Sequence, residues 1–310
     1  MPASTPIAIA LVAAAVMGMA IQRGATCMVA AVDEAIVRRR YRRAAALAEA
    51  AVWVGGLVAF AQMFGVMRAP TDSYPLGALT IVGGMLLGLG AWINGACVFG
   101  AVARIGSGQW AYVATPIGFY LGCLTPLPGP DAMPGKPLPY AILLVALFGL
   151  FLVWRLVEAA RAPDAFSHLW HPHRATLLIA ITFVIAMLAV GPWAYTDALA
   201  AAAHGRDAQL GVRGGMVAAL LGGAILGGLI DGKIRWQPIR AGALLRSLTG
   251  GAVMGLGGMI VPGGNDGLIM VGLPLLRPYA WAAVTVMTGT IAGAIGLELA
   301  GKRAGAVVIG

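Results

Sequence analysis

GGMLLGLGAWINGACVFG, residues 83–100, lies over GGAVMGLGGMIVPGGNDG, residues 250–267, at a constant offset of 167, with seven of the eighteen positions identical and five of those glycine. Each copy begins as an apolar helix and then stops being one. GAC at 95–97 and PGGND at 262–266 are poor helix continuations, because proline lacks an N–H and glycine gives up backbone freedom. Elsewhere such a break is an ordinary turn. In hydrocarbon, unwound backbone survives only where protein or a water-filled cavity satisfies its N–H and C=O groups.

The surroundings are hydrocarbon-like. Of 310 residues, 60% are hydrophobic and 11% charged, and the mean hydropathy is +0.86, far from a soluble domain. A bilayer core about 30 Å thick needs ~20 apolar residues per helix. The chain therefore reads as an all-α polytopic membrane protein with about nine transmembrane helices, near 6–22, 44–66, 76–94, 110–123, 139–157, 174–191, 211–230, 247–262 and 278–298. The first span has neither a basic region before it nor a polar cleavage region after it, so it reads as a retained helix rather than a signal peptide.

The formal charge of +9 invites a nucleic-acid reading, but its placement argues against one. Fifteen arginines and lysines follow alternate spans, at Arg38–Arg43, Arg104, Arg155–Arg174, Lys233–Arg246 and Lys302–Arg303, against five on the other side. That asymmetry is the positive-inside signature, implying an outside N-terminus and a cytoplasmic C-terminus, the orientation expected of a multi-pass bacterial inner-membrane protein with a periplasmic N-terminus. The excess charge then orients the chain and touches anionic headgroups. The expected partners are the lipid bilayer and a small inorganic anion, not nucleic acid.

With nine spans the two copies would face opposite ways. Inverted repeats with breaks at matching positions characterise many secondary transporters. The expected organisation is a first repeat over 1–157, with half-helices near 24–36 and 95–104, a connector with one transmembrane helix over 158–210, and a second repeat over 211–310, broken near 262–267. The half-helices would be short and re-entrant, aiming positive N-terminal ends at a common point. Gly84, Gly88, Gly251 and Gly255 also have the spacing that lets helices pack closely.

At RGATCMVAAVDE (23–34), GGMLLGLGAWINGACVFGAVARIGSG (83–108) and GGAVMGLGGMIVPGGNDGLIMVGLP (250–274), the sequence resembles the YeeE/YedE membrane proteins with the sulphur transport domain. The resemblance implies a thiosulfate-permease-like fold, with inverted halves and buried cysteines that touch the sulphur anion along its path. It carries the family's first cysteine onto Cys27 and the central G-x-C-x-x-G cysteine onto Cys97, framed by Gly95 and Gly100. The family's third cysteine falls at Gly264, where this chain has no thiol and offers Asn265 and Asp266 beside it.

Physical chemistry supports that assignment independently. A thiol in apolar surroundings stays neutral and is a weak donor, so it neither traps nor repels an anion. Permeation needs binding strong enough to enter and weak enough to leave. Asp266 is either a proton carrier, since acids at membrane depth are costly and usually mark ion paths, or a cap for the helix beginning at Gly267. Asn94 and Asn265 either donate to an anion or tie down loose backbone, and Arg104 either draws the anion through its cytoplasmic mouth or anchors a headgroup. Cys123 lacks such a setting and reads as structural. His168, His171 and His173 lack metal-site spacing, so neither a metal nor another cofactor is expected.

No P-loop is present. The leading expectation is a permease, not an enzyme, that moves a small sulphur-containing anion inward, with a cytosolic sulphurtransferase as a candidate recipient. The alternatives are a membrane thiol oxidoreductase, against which the lack of C-x-x-C counts, and a sulphur-relay scaffold.

Overall fold

The computed structural model describes residues 4–67, 71–127, 129–138, 140–161, 172–205, 209–232 and 234–309. The helices are α1 Ser4–Gly24, α2 Met28–Val37, α3 Arg42–Met63, α4 Ala78–Asn94, α5 Val98–Gly106, α6 Ala114–Cys123, α7 Ala141–Ala160, α8 Pro172–Val190, α9 Tyr195–His204, α10 Leu210–Ile230, α11 Ala241–Ile260, α12 Gly264–Gly267 and α13 Pro278–Ile309. Among the described residues the only β pairing is an isolated bridge between Ser73 and Met133. His168 and His171 lie outside the described residues.

Among the described residues, eight runs of helix are long and apolar enough to cross a membrane. The ninth expected span, 110–123, is a four-residue 3₁₀ turn followed by the ten residues of α6. At roughly 2.0 and 1.5 Å per residue it reaches about 23 Å, shorter than the ~30 Å of a bilayer core. Exposed Leu143, Leu147, Leu150, Val153 and Trp154 cover α7. An apolar belt of that size belongs in lipid, and the chain is a multi-pass membrane protein.

Where helices stop, local chemistry explains it. Gly95 closes α4 in the left-handed region at φ 72°, and Gly263 opens α12 at φ 101°. Between α8 and α9, Gly191 at φ 91° precedes Pro192. Residues with a Cβ pay about 1–2 kcal/mol in that region, and glycine does not.

The element order repeats. Adding 167 to the starts of α1, α2, α3, α4 and α5 gives 171, 195, 209, 245 and 265, beside the observed starts of α8, α9, α10, α11 and α12 at 172, 195, 210, 241 and 264. The packing repeats too. α1 packs on α10 as α8 packs on α3, and α4 packs on α13 as α11 packs on α6. α7, which has no counterpart, packs on α3 through Phe148 and Phe151 against Trp53 and through an Arg155–Glu49 ion pair.

The copies touch along α4 and α11. A methyl added at Gly90 would meet the Gly250 carbonyl oxygen at 2.7 Å, and one at Gly257 would meet the Gly83 carbonyl oxygen at 2.9 Å. The contact order, 83 with 257 and 90 with 250, makes the two helices antiparallel. Gly84 and Gly88 press α4 onto α13, and Gly251 and Gly255 press α11 onto α6, so those four glycines serve close packing.

Candidate functional site

α2 and α5 are short helices whose first turns meet. Cys27 is the residue before α2 and Cys97 the residue before α5, both with extended backbone. Both are buried, at 6% and 1% exposure, and both are free thiols. The two side chains lie against each other. The Met28 amide, the first of α2, donates to Cys97 Sγ across 3.2 Å. The amides of Ala30 and Cys97 face the Cys27 sulphur, and that of Gly100 faces the Cys97 sulphur. Each thiol therefore sits among N-terminal amides of its own helix and of its neighbour, where the helix dipoles favour negative charge.

Gly100 shapes this seat by absence. A methyl there would lie 2.9 Å from Cys27 Cβ and 3.1 Å from Ala96 Cβ, and would strike Cys27 Sγ. α5 also touches α12, which brings the second break beside the first.

Asn94 and Arg104 hold the first break in shape. Asn94 Nδ2 donates to the Ala96 carbonyl at 2.7 Å, and its Oδ1 accepts from Thr115 Oγ1 at 3.1 Å. Arg104 Nη2 donates to the Gly95 carbonyl at 2.8 Å, Nη1 reaches the Tyr112 hydroxyl, and the guanidinium lies over the Tyr112 ring. Arg246 Nε adds a donor to the Ile93 carbonyl at 3.2 Å. Of the readings open to Asn94, the bonds match tying down backbone. Arg104 closes the exposed carbonyl end of α4, next to the chain break.

The second break is built differently. At Gly264 (φ 49°) a side chain would run into Thr196, whose Cβ is 2.7 Å from where a methyl would stand. The place of a third thiol is thus filled from α9. Asp266, 3% exposed, accepts the Thr196 amide at 3.3 Å on Oδ2 and contacts the Thr196 hydroxyl through Oδ1. It caps the neighbouring α9 rather than the helix that follows it. Asn265, 1% exposed, has no partner for either amide atom among the described residues. Cys123 lies elsewhere, between α6 and α11, with Sγ 3.6 Å from the Gly255 carbonyl.

The proline-rich segment after α6 is more than a connector. Its residues Leu127 and Pro130, with Tyr74, His204, Met259 and Pro262, line a cleft of about 710 Å³ that reaches the start of the second break. Burial, reinforced by Asp197 and Asp72, pushes the Tyr74 hydroxyl up to about 12. Sequence reasoning missed α9 with Thr196 and Asp197, and it missed Arg246 and Tyr112. For α9 the signal was the 167-residue offset itself, which carries Cys27 onto Ala194, the residue before that helix.

No curated protein matches the chain. A family model described as sulphur transport matches residues 23–130 and residues 129–293, two segments that contain Cys27, Cys97, Thr196 and Asp266. With both breaks, the thiol pair and the apolar helices inside those segments, the chain belongs to the YeeE/YedE sulphur transport family of multi-pass membrane proteins.

Proposed function

We propose that this chain is an inner-membrane permease that takes up thiosulfate or a related small sulphur-containing anion, which passes Cys27 and Cys97 by transient contact. The observation that carries the reading is the thiol pair at the joined N-terminal ends of α2 and α5, with the Met28 amide on Cys97 Sγ. Neutral S–H groups and backbone amides can replace an anion's water without a full positive charge that would hold it. Polarizable sulphur also suits a sulphur ligand. The N-terminus is periplasmic and the C-terminus cytoplasmic. Supporting this, Arg235 and Gln237 amides bond the Ser107 and Gly108 carbonyls, which gathers basic loops on one face.

The two halves, α1–α6 and α8–α13, are inverted copies joined by α7. The antiparallel α4–α11 contact and the paired packing support this, and the second copy then starts at α8 rather than at residue 211. The protein is a transporter rather than an enzyme. A dianion entering against 100 mV, negative inside, needs about 4.6 kcal/mol, so uptake draws on a gradient or on consumption by a cytosolic sulphurtransferase.

The test is labelled thiosulfate uptake in cells lacking other sulphate and thiosulfate importers. Cys97→Ala and Cys27→Ala at normal membrane abundance should each lose most uptake, and undiminished uptake would reject the path. Because the two thiols touch, a thiol-oxidoreductase reading has one observation in its favour. It predicts a Cys27–Cys97 disulfide, or a trapped mixed disulfide with a periplasmic dithiol, during turnover.

A further inference from the structure

The second break carries a chemistry that thiol contact does not use. Thr196 Oγ1 lies 3.1 Å from the Gly263 carbonyl and also touches Asp266 Oδ1. A hydroxyl has one hydrogen. A carbonyl can only accept it, so when Thr196 donates to Gly263 the contact with Asp266 is completed only by a hydrogen on the carboxyl. When Asp266 is ionised, the Thr196 hydrogen turns to it and Gly263 loses a donor. The hydrogen on one carboxyl is therefore written into the bonding of Gly263, the hinge that opens α12.

Other groups suit a site that gains and loses a proton. Asp197 follows Thr196, is half-buried, and faces the Gly263 amide and Asp266. Tyr195 is 2% exposed and faces Asp266, and among the described residues its hydroxyl and both amide atoms of Asn265 have no hydrogen-bond partner. Arg213 of α10, Cys123 of α6, Tyr74 and Tyr279 all lie within reach of the charge on Asp197. The arginines of α5 and α11, Arg104 and Arg246, are turned to the Gly95 and Ile93 carbonyls instead. At an offset of 167, Asp197 and Asp266 answer to Ala30 and Phe99, three residues after Cys27 and two after Cys97.

We propose that Asp266, with Asp197 beside it, is a proton-binding site that couples anion uptake to proton entry, and that Thr196 passes its state to the Gly263 hinge. The thiol half touches the anion and the carboxyl half carries the proton. The cleft lined by Tyr74, His204 and Pro262 reaches the start of the break in which Asp266 lies. Coupling to the anion rests on the permease reading above, whereas proton binding does not.

The test uses the purified protein in liposomes. Infrared difference spectra between acid and alkaline pH should show a protonated-carboxyl band that is lost in Asp266→Asn and moved, not lost, in Asp266→Glu. Asparagine keeps an acceptor for the Thr196 amide, so a purely capping role predicts an unchanged spectrum. In the transport arm, an outside-acid gradient of one pH unit should raise thiosulfate accumulation by up to about tenfold per coupled proton. Thiosulfate addition should also acidify the lumen. In Asp266→Asn the ratio of uptake with and without the gradient should fall to one, whatever the absolute rate, while Asp266→Glu keeps it above one. A wild-type ratio of one, or an Asp266→Asn ratio equal to wild type, overturns the coupling. An unchanged carboxyl band overturns the proton site. If thiosulfate does not cross at all, the permease reading fails and the infrared result still decides the proton site.

Discussion

Gly100→Ala tests whether the thiol seat is as tight as its geometry requires. The added carbon would stand 2.9 Å from Cys27 Cβ and 3.1 Å from Ala96 Cβ. Relaxed carbon contacts lie at about 3.5–4.0 Å, so the Cys27 segment must retreat by about 0.6–1.1 Å. Overpacking of this kind costs about 1–3 kcal/mol. Against a midpoint of about 2 kcal/mol, alanine returns up to ~1 kcal/mol through its helix propensity in α5, which leaves about 1–2 kcal/mol. Borne by the site, that is a 5- to 30-fold loss of uptake. Initial thiosulfate uptake, normalised to membrane abundance, should fall by this factor, with a lowered melting temperature. Gly293→Ala in α13, where nothing lies within 4 Å, should change neither. Adding Cys27→Gly to Gly100→Ala removes both Cys27 atoms in the way, and should restore melting but not uptake. Wild-type uptake and melting in Gly100→Ala would refute the argument.

Three more outcomes follow from other contacts. Arg104→Gln strips the Gly95 carbonyl of a charged donor and should cost about 1.5–3 kcal/mol, read as lower melting of the purified protein; unaltered melting with lost uptake would instead make Arg104 an anion contact. Gly264→Cys, which inserts a thiol where the family has one, should destabilise rather than activate, because it meets Thr196 and a left-handed backbone; increased uptake would contradict this. Gly90→Ala and Gly250→Ala should each lower membrane abundance, and together by less than the sum, since both methyls load the same α4–α11 crossing; full additivity would show that the sites are independent.

Much of this was legible in the sequence, for definable reasons. Apolar length marks spans because the bilayer permits few alternatives, and the two breaks announced themselves through Gly95, Pro262 and Gly263. α9 stayed hidden because its run is apolar and alanine-rich, and over 21–35 against 188–202 only Gly24, Ala31 and Ala35 recur. The half-length of α6 was hidden too, since apolar character says nothing about where a 3₁₀ turn replaces α-helix. Among the candidate site residues, Cys27, Cys97 and Gly100 were legible through the family resemblance of the segments that carry them. Asp266 was readable as a capping acid, but its cap is on α9, seventy positions away, and only tertiary structure pairs it with Thr196. The role of Arg104 turned on carbonyls left open by the α4 break, which no local pattern displays.

α7 was introduced as the one long helix without a twin. Under the proposed topology, which counts the short 3₁₀–α6 segment as the fourth pass of the first half, each half makes an even number of passes, so without α7 a duplicated chain would begin its second copy on the same side as its first, as a side-by-side pair. One extra pass changes that parity. A helix that touches neither thiols nor carboxyls thereby decides that the two copies meet head to tail, and its hold on α3 is all that the rest of the molecule asks of it.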